Sequence, residues 1–155
     1  MAIKKPLVLG SDGRPQQLQS GDSIATGSNL VQLTADSALS AGMPVVITTA
    51  DHVNKARANA SGTKDVIGLC AQDISISATG GVQPDGVLAL TTGQWDAVAG
   101  TSGGLSPDTI YFLDPGTAGH ITATVPSSTG QYVAEVGIAL STTELEIRVQ
   151  PPILL

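Results

Sequence analysis

The sequence predicts an all-β protein: a single compact β-sandwich or β-barrel-like domain with an extended N-terminal arm and one short helical turn. Three observations predict it. Short apolar runs recur with turn signals between them, the spacing of a sandwich or barrel rather than of βαβ units. Eighteen Gly, nine Pro and 30 Ser plus Thr in 155 residues supply frequent corners, while 41% hydrophobic residues and a mean hydropathy of +0.21 are too apolar for a disordered chain. The core must be built from Val, Ile, Leu and Ala, because the chain has only one Trp, two Tyr and one Phe, and β-branched side chains suit packing between sheets.

Residues 1–23 differ from the rest. The apolar run Pro6 to Leu9 is followed by the turn signal of Gly10, Asp12 and Gly13 and then by a polar stretch to Asp22, with Leu18 as the only apolar anchor before Ile24. This segment cannot form a core alone and reads as an arm, laid either on its own body or on a neighbour. From residue 24 to 150 the β domain follows, with candidate strands Leu30 to Thr34, Pro44 to Thr48, Val53 to Arg57, Val66 to Ser75, Gly81 to Leu90, Thr109 to Leu113, His120 to Thr124, Gln131 to Leu140 and Glu144 to Val149. The last is the clearest, since Leu145, Ile147 and Val149 alternate with Glu144, Glu146 and Arg148 and so give one apolar and one charged face. Turns fall where Gly, Pro and Asp cluster, at 78–81, 84–86, 100–104, 114–116 and 126–130. Between Thr92 and Val98 a Thr can cap a short helical turn, with Trp95 and Val98 on one face. Pro151 and Pro152 end the last strand and leave residues 151–155 as an apolar tail, Ile153-Leu154-Leu155, costly to leave in water.

Charge narrows the function. Thirteen acidic against seven basic side chains give a net charge of −6, which repels phosphate backbones and anionic membranes, so neither nucleic acid nor membrane is an expected partner. The N-terminal residues lack the apolar run of an export signal, and no later run reaches 18 apolar residues. A single cysteine, Cys70, among Ile67, Leu69 and Ala71, excludes an internal disulfide and reads as an inert buried thiol in a reducing compartment. Asn59-Ala60-Ser61 is formally a glycosylation sequon and carries little weight without an export signal.

Sequence motifs offer little chemistry. Gly100-Thr-Ser-Gly-Gly104 has the letters of a nucleophile elbow with Ser102 as nucleophile, but Leu105-Ser-Pro-Asp108 leads into a strand where an elbow needs a helix, and only His52 and His120 could serve as a base. Gly21-Asp22-Ser23 resembles the start of a hydrolase block that also needs an Asp three residues before a His, which neither histidine has. The carboxylates are scattered, the two histidines lie 68 positions apart, and no zinc, calcium or phosphate-cradling motif occurs. No catalytic residue, cofactor or metal is therefore expected. Sugar binding would require exposed ring faces, Trp95 and Tyr111 side by side for instance, yet the aromatic residues sit in segments that read as core.

The opening Pro6 to Asp22 resembles the N-terminal segment of structural proteins of tailed bacteriophages, and the blocks Gly86 to Val98, Gly103 to Asp114 and Gly130 to Ile147 are similar to a β-module of phage virion proteins. The resemblance covers most of the chain. It implies a small capsid decoration (cement) protein, made in the host bacterial cytoplasm and resident on the virion. Its implied partners are the major capsid protein and other copies of itself, as a homotrimer or another cyclic oligomer. A tail, baseplate or fibre module that attaches to other virion proteins or to host glycans is the alternative, and the short chain argues for decoration. In either role the arm (Leu7, Leu9, Leu18) and the tail (Ile153, Leu154, Leu155) are the candidate interface residues, because each can add surface to a neighbour by strand addition or groove filling.

Overall fold

In the computed structural model, residues 7–9, 15–17 and 29–155 are described, and they form the all-β protein that the alternation of apolar runs and turns predicts. Near the N-terminus β1 (Leu7–Leu9) pairs antiparallel with β2 (Pro15–Gln17) as a hairpin within the predicted arm. Then come β3 (Val31–Ala35), β4 (Pro44–Thr49), β5 (His52–Lys55), β6 (Gly68–Cys70) and β7 (Thr79–Gln83). These five close into a barrel in the order β3-β5-β4-β6-β7, with β7 returning to β3. Every pairing is antiparallel except β3 with β5.

The second half contributes β8 (Gly86–Ala89), α1 (Thr92–Ala99), β9 (Ile110–Leu113), β10 (Ile121–Thr122), β11 (Tyr132–Val133), β12 (Glu135–Ala139), β13 (Glu144–Ile147) and β14 (Ile153–Leu154). Five of these strands form an antiparallel sheet in the order β10-β9-β12-β13-β8, while β11 and β14 pair separately. The predicted alternation of the last long strand holds: Leu145 and Ile147 are buried, Glu144 and Glu146 face outward, and Val149 lies past the strand's end. The helix is longer than the single turn expected. Thr91 caps it in a capping box with Gln94, Gly100 ends it in a left-handed conformation, and Trp95 and Val98 are its buried residues.

Two apolar cores lie on either side of a shared wall. Leu33, Ala35, Val45, Val53, Cys70 and Val82 fill the barrel, small side chains suited to a narrow lumen. On the other side, Trp95, Val98, Tyr111, Leu113, Val136 and Leu145 pack with Val46, Ala56 and Leu69, which come from the barrel half. Adjacent residues thus feed different cores, Val45 and Val46 on β4 and Leu69 and Cys70 on β6. Strands buried on both faces read as continuous apolar runs, which is why alternation is absent there. At Gly68 a Cβ would stand 2.4 Å from the Gln83 carbonyl oxygen, so only glycine lets β6 approach the end of β7.

Three long predicted strands are broken in the structure. Val66 to Ser75 contains only the three-residue β6, followed by the isolated bridge of Ile74 with Leu39. Gly81 to Leu90 divides at the Pro84-Asp85 turn into β7 of the barrel and β8 of the sheet. Gln131 to Leu140 divides at buried Ala134 into β11 and β12, which belong to different sheets. In each case the chain changes its hydrogen-bonding partner at the break, although the apolar character continues across it.

Candidate interaction surface

The structure places the side chains around Ser102, His52 and Cys70 as follows. Asp96 on α1 accepts from the Thr101 hydroxyl at 2.9 Å, the Gly103 N–H at 3.0 Å and the Gly104 N–H at 2.7 Å. These donors, the Gly104 N–H foremost, hold its carboxyl below the usual aspartate range. The loop bearing Ser102 is therefore a cradle around a helix carboxylate. It follows the helix instead of preceding one, so the strand-to-helix turn of a nucleophile elbow is not formed. Gly104 has φ +92, and a Cβ there would meet the Thr142 carbonyl oxygen at 2.2 Å, while Gly103 stands in open space at φ +86, so the left-handed backbone accounts for the first glycine and the close approach for the second.

His52 Nδ1 lies 2.8 Å from an Asp36 carboxylate oxygen, and the Thr48 hydroxyl donates to the other oxygen. Thr48 and then His52 keep the Asp36 carboxyl below its ordinary value. This trio sits at the exposed seam where β3 and β5 run parallel, and His120 meets it nowhere: its recorded bonds are backbone ones to Asp114 and Thr117. Among the described residues no group of three or more His, Cys, Asp or Glu is close enough to hold a metal ion, and no helix is long and apolar enough to cross a membrane. Cys70 is fully buried, and desolvation pushes its thiol up to about 12, in line with an inert core thiol. Trp95 and Tyr111 are also buried: the indole N–H donates to the Thr143 carbonyl and the Tyr111 hydroxyl accepts from the Ser106 N–H. They form no exposed stacking platform.

The predicted tail residues are conspicuous. Ile153, Leu154 and Leu155 are 66%, 59% and 42% exposed, although the tail is tied down by its backbone. Past Pro151 and Pro152 the chain keeps its direction, and β14 pairs with β11 in the register Tyr132↔Leu154 and Val133↔Ile153. The Leu155 N–H donates to the Gln131 carbonyl at 2.9 Å, and the Gly130 N–H donates to the Leu155 carbonyl at 3.0 Å. The prolines end the regular pairing of the last long strand, as the sequence predicts, but the chain does not leave that line: the Arg148 and Gln150 N–H groups donate to the Val136 and Glu135 carbonyls, and β14 then continues beside β11 while its side chains remain in solvent. Of the predicted arm residues, Leu7 and Leu9 lie on β1 with their side chains outside the described residues, and Leu18 lies outside them altogether.

Beside the tail, Phe112, Val133, Glu135, Gln150, Pro151 and Ile153 line a groove of about 470 Å³. Phe112 faces outward because its strand neighbours Tyr111 and Leu113 face the core, and Glu135 stands opposite it across the register of β9 and β12. The groove thus closes one end of the sheet's outer face, whose other outward residues include Val87, Ile110 and Ile138 in one cross-strand row with Glu146. Sequence reasoning identified the tail but missed Phe112, Val133 and Glu135. The outward position of Phe112 in the alternation of Ile110 to Leu113 was the one local signal available, and it gave no hint that β14 would fold beside it. The chain matches no protein-family model and no curated protein sequence.

Proposed function

We propose that this chain is a non-enzymatic structural protein of a tailed-bacteriophage virion that attaches to the outside of the capsid lattice and stabilises it. The observation that carries the proposal is the exposed apolar strand Ile153–Leu154, with Leu155 beyond it, fixed by backbone hydrogen bonds to a firmly packed β body. A mobile apolar tail could hide its side chains by collapse. One held in place presents them to a partner. The resemblance of the Pro6 to Asp22 and Gly86 to Ile147 blocks to phage virion proteins supplies the partner, the major capsid protein, and favours a homotrimer or other cyclic oligomer.

Attachment at repeated lattice points multiplies weak contacts by avidity, and binding only the assembled lattice stabilises it by mass action. A net charge of −6 keeps the free protein dispersed until it meets its lattice. The test is light scattering on the purified chain, followed by mixing with cognate capsids and sedimentation. A species of three times 15.6 kDa that pellets with capsids is expected. A chain that stays in the supernatant with capsids but pellets with isolated tails would replace the capsid reading with a tail or baseplate component.

A further inference from the structure

We infer that β14 is a docking edge for an extended apolar segment of another protein carrying a lysine or arginine, added as a third strand beside β11 and β14. The backbone geometry comes first. The bonds between residues 131 and 155, together with the register of β11 and β14, make Tyr132 and Leu154 a pair whose peptide groups do not bond each other. Tyr132 sends its N–H the other way, to the Ala58 carbonyl at 2.9 Å. By the same alternation the N–H and C=O of Leu154 point away from β11, and no third strand is present on that side among the described residues. Open edges of this kind are usually blunted. On β8 the Gln83 side chain donates to the Val87 carbonyl at 3.1 Å; on β14 no such cap is recorded among the described residues.

The neighbouring groove sets the chemistry of the occupant. On the face it shares with the added strand, β14 presents Ile153 to a bulky aliphatic side chain, and Glu135, which lies one strand further in and enters no ion pair among the described residues, suits a lysine or arginine long enough to reach across β14. The surroundings agree. Glu144 and Glu146 share the outer face with Arg148, and Lys64 beside Tyr132 is already paired with Asp65 at 2.6 Å. A second copy fits less well, because pairing two β14 strands would offer neither Glu135 a cation and would bring two net charges of −6 together. The inference deepens the attachment proposed above and rests on it only for the source of the segment.

The test titrates capped peptides Val-Thr-Lys-Thr-Val-Thr and Val-Thr-Glu-Thr-Val-Thr, whose first, third and fifth side chains share one face, into the isotopically labelled full chain and follows backbone amide signals. The lysine peptide should shift Val133 and Ile153 to Leu155 saturably, and the glutamate peptide should not. Leu154→Pro removes the outward N–H along with the Leu154 side chain and leaves the β11 pairing intact, whereas Leu154→Ala removes the side chain alone, so the proline variant should fold normally and bind about tenfold more weakly than the alanine variant. Glu135→Gln should weaken binding roughly threefold. Equal binding of both peptides, no binding, undiminished binding by Leu154→Pro, or dimerisation through β14 without peptide would each overturn the inference. The two readings separate in sedimentation. Capsid binding that survives Leu154→Pro overturns the edge and leaves attachment standing, whereas a chain that takes the lysine peptide at β14 but ignores capsids supports the edge and overturns attachment.

Discussion

The barrel of β3 to β7 and the layer of α1 with the five-stranded sheet solve the same packing problem with different material. All four aromatic residues of the chain, Trp95, Tyr111, Phe112 and Tyr132, lie in the second half, and two of them anchor its core. The barrel core contains none and closes on Leu, Val, Ala, Ile and Cys. A closed barrel satisfies its backbone all round and needs little volume in its lumen. An open sheet has one face to cover, and a helix bearing a large ring covers it with few residues. The difference teaches where sensitivity should lie: in the layer in a few large anchors, in the barrel in many small ones. Because Val46 and Leu69 of the barrel wall belong to the second core, the two regions should still melt together.

The largest expected effect is that of Trp95→Ala, which empties the centre of the layer and leaves the Thr143 carbonyl without its indole donor. Urea unfolding should show a loss of about 3–5 kcal/mol. Leu33→Ala in the barrel should cost about 2–4 kcal/mol by the same measurement. In both variants fluorescence and far-ultraviolet circular dichroism should report one coincident transition; two separated transitions would break the picture of a shared wall.

Acid sharpens the comparison further, since each region has one aspartate with a depressed pKa. Asp36 is held chiefly by Thr48 and then His52, and Asp96 chiefly by the Gly104 N–H. A carboxyl whose folded pKa lies below its unfolded value of 3.8 contributes stability that is complete above that value and is lost as pH falls through the folded pKa. Melting temperatures should therefore fall below about pH 4, and Asp36→Asn and Asp96→Asn should each make that fall shallower. A variant with an unchanged acid limb would remove its aspartate from the account. The smallest effect is expected at Cys70: with its thiol pushed up to about 12 and fully buried, a thiol reagent at pH 8 should leave the native chain unmodified and label it fully in denaturant.

Much of the fold was legible because it is local. The alternation from Glu144 to Ile147, the capped helix around Trp95 and the corners at 84–86, 100–104 and 114–116 each follow from a few neighbouring residues, whereas the glycines of the corner predicted at 78–81 lie inside β7. The strand breaks at Pro84-Asp85 and Ala134 were not legible in the same way, because apolar character continues across them and only the exchange of partner strands marks the boundary. Of the candidate surface, the tail was visible as Ile153 to Leu155 after two prolines. The groove was not, because Phe112, Glu135 and Ile153 come from three strands and meet only through the pairings of β9 with β12 and β11 with β14.

By itself the sequence determined the all-β class, the buried character of Cys70, the placement of the helix and the excess of apolar residues at the tail, since each depends on composition or on periodicity over a few residues. Only the tertiary structure decided that five strands close into a barrel, that Val45 and Val46 serve different cores, and that the tail pairs with β11 and leaves one edge open. Those outcomes depend on long-range hydrogen-bond partners, and a strand's own residues specify which of its faces is apolar but not which neighbour covers it.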